Sequence, residues 1–145
     1  MPTRSQRIRD AFNNLRAESL DILDDFYSPE VLFRDPIGEV KGLPALKRYY
    51  GRMYENVQEI RFEATDEVAQ GNAHVLVWTM YLRARGLNKG NEVELEGISV
   101  LHFNSEELVS YHRDYFDMGA FIYTHVPVLG RVIRIINRRL EGPGG

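Results

Sequence analysis

The fold of this chain is decided by one β-rich run, His74-Val75-Leu76-Val77-Trp78-Thr79-Met80-Tyr81-Leu82-Arg83. Branched and aromatic side chains favour strands, and successive side chains of a strand point to opposite faces of its sheet. From residue 76 onward, one face of this run therefore carries only apolar residues, namely Leu76, Trp78, Met80 and Leu82. Such a face predicts a long strand that covers a hydrophobic interior.

Predicted strands also lie on both sides of this run. Residues 60–64 alternate before it, residues 92–103 follow a glycine- and asparagine-rich hairpin loop, and residues 108–118 follow a short turn. The inward positions of the last two strands are mainly apolar, with a few polar members among them. They are Gly97, Ser99, Leu101, Phe103, His112, Asp114 and Phe116. This composition is typical of a small-molecule pocket.

Helical patterns lie at both ends of the chain. Apolar residues recur at helical spacing between residues 8 and 26, with a break near Ser19, which could cap a second helix. After a short strand at 31–34, Pro44 stands where a further helix should begin, and residues 128–140 form an amphipathic pattern. Helices, then an antiparallel meander, then a terminal helix predict an α+β fold.

Length and composition exclude several classes of protein. A chain of 145 residues, 43% hydrophobic and 27% charged, predicts one globular domain over residues 1–145, with 141–145 as a frayed tail. The net charge of −3 favours neither nucleic acid nor an anionic membrane as partner. Without a long apolar run or a signal-like start, a cytoplasmic location is predicted. With no cysteine, no metal-ligand spacing among the histidines and no phosphate loop, neither metal nor cofactor is expected.

Two short segments set an aspartate within an apolar, aromatic run: Phe33-Arg34-Asp35-Pro36-Ile37-Gly38 and His112-Arg113-Asp114-Tyr115-Phe116-Asp117. Burial beside hydrophobic residues disfavours an ionised carboxylate, so such a position needs partners or a function. Two such positions indicate a pocket with a pair of titratable groups, and such pairs commonly perform acid–base catalysis.

Each candidate also has a structural interpretation, and these alternatives stay open. Asp35 before proline and glycine fits a turn without any chemistry. Asp114 fits a buried carboxylate bonded to Arg113 or to a tyrosine hydroxyl. His112 either orients or protonates what Asp114 acts on, or is a strand histidine with satisfied hydrogen bonds.

The chain resembles the nuclear transport factor 2-like superfamily of cone-shaped α+β folds. Members include ketosteroid isomerases, SnoaL-like polyketide cyclases, limonene epoxide hydrolases and scytalone dehydratases. The resemblance covers nearly the whole chain and rests on Tyr27 followed by Asp35-Pro36-Ile37-Gly38, and on the strand Arg113-Asp114-Tyr115-Phe116-Asp117. It implies a curved antiparallel sheet around the N-terminal helices, a deep apolar pocket and a C-terminal amphipathic helix.

The resemblance to ketosteroid isomerases is incomplete. It places Asp35 where those enzymes carry the aspartate that moves a proton. Their oxyanion tyrosine would fall near Phe12, and their protonated oxyanion aspartate aligns with Ser99, a weaker donor. Because the loss of one oxyanion donor typically costs ~3 kcal/mol of barrier, steroid isomerisation is not predicted.

The resemblance to limonene epoxide hydrolases is incomplete as well. It places Asp114 at the position of their water-activating aspartate. Trp78 and Met80 stand where those enzymes need an arginine and a second aspartate. Neither side chain can act as an acid toward an epoxide, so epoxide hydrolysis is not predicted.

The candidate site therefore has three catalytic residues, Asp35, Asp114 and His112. Ten further residues are predicted to bind an apolar small molecule: Phe12, Tyr27, Phe33, Tyr50, Met53, Trp78, Met80, Ser99, Leu101 and Phe116. Two functions fit. One is a SnoaL-like isomerase, cyclase, dehydratase or hydrolase that uses aspartate acid–base chemistry on an apolar cyclic or polyketide-like molecule. The other is a non-catalytic ligand-binding or protein-interaction module of the same fold.

The resemblance also implies a homodimer that pairs through the outer face of the sheet. That face carries Val75, Val77, Thr79, Tyr81, Tyr111, Arg113 and Tyr115, and it is more apolar than a solvated face should be. The terminal helix is interpreted as a lid over the cone, and a contact surface for a membrane or a partner is the alternative.

Overall fold

A six-stranded sheet forms the frame of the molecule, of which the computed structural model describes residues 1–121 and 135–141. Its strands are β1 (Tyr27–Arg34), β2 (Glu39–Lys41), β3 (Val57–Gln70), β4 (Ala73–Ala84), β5 (Val93–Phe103) and β6 (Val109–Phe116). They lie in the order β2-β1-β6-β5-β4-β3. The predicted α+β class with a curved sheet is confirmed.

One pairing departs from the predicted antiparallel arrangement. Strand β1 runs parallel to β6, while the other neighbours are antiparallel. A parallel pair cannot be closed by a tight turn, and here α2 and three long strands separate its two members. The strand also begins at Tyr27, earlier than the predicted start at residue 31.

Between residues 1 and 121 the sheet is accompanied by α1 (Arg4–Asn14), α2 (Leu43–Tyr54) and the short α3 (Met118–Phe121). A capping box starts α1, because Thr3 and Gln6 exchange hydrogen bonds of 2.8 and 3.1 Å. Pro44 lies in the first turn of α2, as predicted. The predicted second helix after Ser19 is instead a 3-10 turn, Leu20–Asp25, and the Ser19 hydroxyl does not cap it.

The C-terminal prediction is only partly covered by the described ranges. Residues 135–141 are helical, whereas residues 128–134 of the predicted helix and the tail at 142–145 lie outside the described residues. Residue 141 still belongs to the helix, so the predicted frayed tail does not begin there. Within the ranges described, no helix has the length and apolarity needed to span a membrane.

The inner face of β4 is buried as its alternation predicts. Leu76, Trp78, Met80 and Leu82 are all at most 7% exposed. Trp78 lies directly opposite Gly97 of β5, and its ring occupies the space where a side chain at Gly97 would stand. Glycine is therefore required at this point of the sheet, since a β-carbon there would come within 2.3 Å of the indole.

Candidate active site

The inner face of the sheet, α1 and α2 surround a cavity of about 140 Å³. Its wall is almost entirely apolar and aromatic, with contributions from Ile8, Phe12, Tyr50, Met53, Tyr54, Val57, Ile60, Phe62, Leu76, Trp78, Met80, Leu82, Leu95 and Phe116. An apolar cavity of about 150 Å³ is known to hold a benzene-sized molecule. The cavity is therefore of the right size and polarity for a small ring compound.

Most of the predicted site residues are brought together in this wall. His112 and Asp114 line the cavity, as do seven of the predicted binding residues: Phe12, Tyr50, Met53, Trp78, Met80, Ser99 and Phe116. The strand alternation explains the agreement, because His112, Asp114 and Phe116 share the inner face of β6.

Three predicted binding residues do not line the cavity. Tyr27, Phe33 and Leu101 are at most 1% exposed and belong to the core behind the wall. Phe33 and Tyr27 pack against the His112 ring, with centroids 4.9 and 5.9 Å away. The prediction that these three residues contact a ligand is therefore corrected. They are buried behind the residues of the cavity wall and support that wall.

Asp35 is also not part of the cavity wall. Its Oδ1 accepts hydrogen bonds from the amides of Ile37 (2.8 Å) and Gly38 (3.1 Å), and its Oδ2 accepts one from the Tyr49 hydroxyl. These bonds form the turn between β1 and β2, as the alternative interpretation of Asp35 stated. Asp35 therefore does not share the apolar cavity with Asp114, but the two aspartates both border a second, more open cleft beside Arg113.

Asp114 is held by two donors on one oxygen. Its Oδ1 lies 2.6 Å from His112 Nε2 and accepts a 2.5 Å hydrogen bond from the Ser99 hydroxyl. Ser99 in turn accepts a hydrogen bond of 2.8 Å from the Trp78 indole. Among the residues that the structure describes, neither Arg113 nor a tyrosine hydroxyl bonds the carboxylate, which differs from the structural interpretation of this residue. The other oxygen, Oδ2, accepts no hydrogen bond from the described residues, and the side chain as a whole is 20% exposed.

A second chain of hydrogen bonds reaches Asp114 through His112. Tyr27 OH lies 2.6 Å from His112 Nδ1 and 3.1 Å from the Tyr50 hydroxyl. Burial raises the pKa of Tyr27 and of Tyr50 well above the ordinary 10, so both phenols keep their protons. The Tyr27 hydroxyl is thus bonded to His112 Nδ1, and the other ring nitrogen, Nε2, faces Asp114 Oδ1. Both chains of hydrogen bonds thus end at one carboxylate oxygen.

Sequence reasoning missed Tyr54 and Arg9 as parts of the wall. Tyr54 follows Tyr50 by four residues and so lies on the same face of α2, a helical spacing that could have identified it. Arg9 is half-exposed and bonds Glu67 at 3.0 Å. Its place at the cavity depends on how α1 packs, for which the sequence holds no comparable signal. The described residues contain no group of side chains suited to bind a metal ion.

Solved structures share this fold at low sequence identity. A protein of Shewanella denitrificans OS-217, provisionally described as a SnoaL-like polyketide cyclase, gives a TM-score of 0.68 at 19% identity, over 81% of this chain and 92% of that chain. A Catenulispora acidiphila protein with a ketosteroid isomerase-like fold, solved with trimethylamine, gives 0.71 at 12%, over 86% and 92%. TerC, co-crystallized with polyporic acid, gives 0.68 at 15%, over 81% and 93%. These likenesses confirm the predicted cone-shaped fold, and at such low identities they show the fold alone.

The sequence itself assigns the family. Among curated proteins no match is found. A family model described as the SnoaL-like domain matches residues 6–112. That stretch reaches from α1 to His112 and includes most of the cavity wall. Because it makes up well over half of the 145 residues, the chain belongs to the SnoaL-like domain family.

Proposed function

We propose that this protein is a cofactor-free enzyme of the isomerase or cyclase type, which moves a proton on an apolar cyclic molecule with Asp114 as the base. One observation carries the proposal: the carboxylate is held through Oδ1 alone, and Oδ2 is left without a partner among the described residues. A general base needs a fixed position and a free lone pair, and this arrangement supplies both.

His112 is a positioning residue in this mechanism. Its ring is bonded to Asp114 Oδ1 through Nε2 and to the Tyr27 hydroxyl through Nδ1, so the carboxylate is held in one position. The Ser99 hydroxyl donates a further hydrogen bond to the same oxygen. Hydrogen bonds to the charged form offset part of the cost of keeping a carboxylate beside an apolar cavity. Asp114 can then accept a proton from the ligand and return it to another atom of the same molecule.

A test can use 2-tetralone, a bicyclic ketone whose hydrogens next to the carbonyl are acidic. Wild-type protein in D₂O is expected to speed their replacement by deuterium, followed by proton NMR. Asp114→Asn keeps the shape of the side chain but loses its basicity, so exchange should fall by about 10²–10⁴. Asp35→Asn is the matched control, because asparagine can form the same turn outside the cavity, and its rate should equal that of wild type.

Binding is measured separately through the fluorescence of Trp78, the single tryptophan of the chain, which lines the cavity. Asp114→Asn should keep the affinity for 2-tetralone within a few-fold. If wild type binds a panel of apolar ring ketones and none of them exchanges faster than in buffer, the enzyme proposal fails. The non-catalytic binding module would then be the function to adopt.

A further inference from the structure

Arg9 brings a positive charge to the edge of the apolar cavity. Among the described residues that line the cavity, it is the one arginine or lysine, and its side chain is 49% exposed. One nitrogen, Nη2, bonds Glu67 Oε2 at 3.0 Å, and the other N–H groups have no hydrogen-bond partner in the described part of the chain. A guanidinium carries several donors in a planar fork, so Arg9 can bind a second acceptor.

An irregularity in β3 holds Arg9 in this place. Ala64 lies on the inner face, opposite Trp78 of β4. A shift of register after Ala64 then adds one residue to the strand, and Glu67 lies opposite the inward-facing Leu76. Because a shift by one residue exchanges the two faces of a strand, Glu67 would point outward without it. The bulge thus supplies the carboxylate that fixes the Arg9 guanidinium at the cavity.

Glu67 has other partners besides Arg9. Its Oε2 also accepts a hydrogen bond of 2.8 Å from the Ser5 hydroxyl. His74 Nε2 lies 3.3 Å from its other oxygen, Oε1. The carboxylate therefore keeps neighbours of its own if Arg9 turns part of its fork toward a ligand, and a ligand carboxylate can share the guanidinium without leaving Glu67 unpaired.

Arg9 and the proposed base lie at opposite ends of one row across the sheet. Glu67, which holds Arg9, lies opposite Leu76, and Leu76 lies opposite Ser99. Ser99 in turn lies opposite Asp114. Neighbouring strands are about 4.8 Å apart, so Glu67 and Asp114 are separated by about 14 Å along the curved sheet. A ring held between them can face Asp114 on one side and direct a short substituent to Arg9 on the other.

We propose that the cavity takes small ring compounds that carry a carboxylate on a short side chain, and that Arg9 binds this carboxylate. Arginine and carboxylate match in charge and in planar geometry. The distance across the row keeps the negative charge of the ligand away from Asp114. This inference names the substrate class of the proposed active site and rests on that site, but it requires no proton transfer.

The test uses three probes with the same phenyl ring and different ends: 3-phenylpropanoate, propylbenzene and 3-phenylpropylammonium. Their affinities are measured through the fluorescence of Trp78. Wild type should bind the acid about tenfold more tightly than the ammonium compound. Arg9→Gln should weaken binding of the acid about five- to tenfold and leave binding of propylbenzene unchanged. Arg9→Lys keeps the charge and should lose less affinity for the acid than Arg9→Gln does.

The matched control is Arg61→Gln. Arg61 is also an exposed arginine paired with a glutamate, Glu63 at 3.2 Å, but it lies opposite Tyr81 on the outer face of β3. This variant should bind all three probes as wild type does. Unchanged binding of propylbenzene by Arg9→Gln shows in addition that the cavity is intact in that variant.

The outcomes separate this inference from the proposed function. If exchange of 2-tetralone requires Asp114 but Arg9→Gln binds the acid as wild type does, the role of Arg9 is overturned and the base stands. If Arg9→Gln selectively loses the acid while wild type exchanges nothing, Arg9 selects the ligand and the proton-transfer proposal fails. Tighter binding of the ammonium compound than of the acid by wild type, an equal loss of all three probes in Arg9→Gln, or binding of none overturns the inference.

Discussion

The two oxygens of the Asp114 carboxylate have different surroundings, and this difference makes the residue a candidate base. Oδ1 is fixed between His112 and Ser99, whereas Oδ2 accepts no hydrogen bond from the described residues. A carboxylate with both oxygens bonded to the protein, such as Asp35, is a structural group. The contrast between these two aspartates follows from their partners and not from their burial.

Removal of the Tyr27 hydroxyl should destabilise the fold while leaving the cavity wall in place. In Tyr27→Phe, His112 Nδ1 and the Tyr50 hydroxyl each lose a buried hydrogen-bond partner. We expect the free energy of unfolding to fall by about 1–3 kcal/mol in urea titrations. Tyr81→Phe, on the outer face, should stay within about 0.5 kcal/mol of wild type. Equal stabilities of the two variants would contradict the hydrogen-bond chain.

The sequence predicted part of this chain and could not predict the rest. Strand alternation put His112, Asp114 and Ser99 on the inner face, because a period of two is a local property. Tyr27 and His112 are 85 residues apart and meet only because β1 pairs with β6 in parallel register. No turn connects β1 to β6, so no local sequence pattern predicts the contact between Tyr27 and His112.

At the scale of elements, the turn after β1 shows why a motif alone could not assign Asp35. Aspartate before proline and glycine satisfies backbone amides in a turn, and the same letters can precede a catalytic carboxylate. The deciding contact comes from Tyr49 of α2, which bonds the second oxygen, so that both carboxylate oxygens accept hydrogen bonds outside the cavity. Contact between a turn and a later helix is not encoded at either segment by itself.

The pairing of β4 with β5 depends on Gly97. In Gly97→Ala the new β-carbon would lie 2.3 Å from the Trp78 ring, so the indole must move and its hydrogen bond to Ser99 is lost. We expect a loss of about 1–3 kcal/mol of stability and a shifted Trp78 emission. Gly38→Ala is the matched control, because nothing lies within 4 Å of a β-carbon there. An unchanged emission spectrum in Gly97→Ala would show that this packing is wrong.

At the scale of the whole molecule, the buried phenols make stability depend on alkaline pH. Burial raises the pKa of Tyr27 and Tyr50, while in the unfolded chain both titrate near pH 10. Below that pH the two states hold the same protons on these groups. Above it the unfolded chain releases protons that the folded protein keeps, so stability falls as pH rises.

Each such tyrosine should lower the free energy of unfolding by about 1.4 kcal/mol per pH unit once its unfolded form is ionised. Urea titrations of wild type between pH 9.5 and about pH 11.5 should therefore show a steeper decline than those of Tyr50→Phe, which lacks one of these groups. The difference in slope should approach that value. Identical slopes would mean that Tyr50 ionises as readily in the folded protein as in the unfolded chain.

The outer face of the sheet carries an apolar row across three strands. Val77, Ile98 and Tyr115 are direct neighbours in the register of β4, β5 and β6, and Ile98 and Tyr115 are 39% and 46% exposed. The Arg113 guanidinium lies 4.6 Å from the centroid of the Tyr115 ring and extends the row with a cation–π contact. Because the row is apolar and continuous across three neighbouring strands, a second copy could match it by twofold symmetry.

We propose that two copies pair through this face, and Ile98→Lys tests the pairing. A lysine in the middle of the row would place two like charges, one from each copy, in an apolar contact, which costs far more than an exposed lysine. Light scattering at micromolar concentration should then give twice the chain mass for wild type and the single-chain mass of 16.8 kDa for the variant.

Ile37→Lys, in the exposed turn after β1, should remain a dimer. Since Ile98 points away from the cavity, the variant should also bind 2-tetralone as wild type does. A single-chain mass for wild type would remove the dimer and leave the row as ordinary surface.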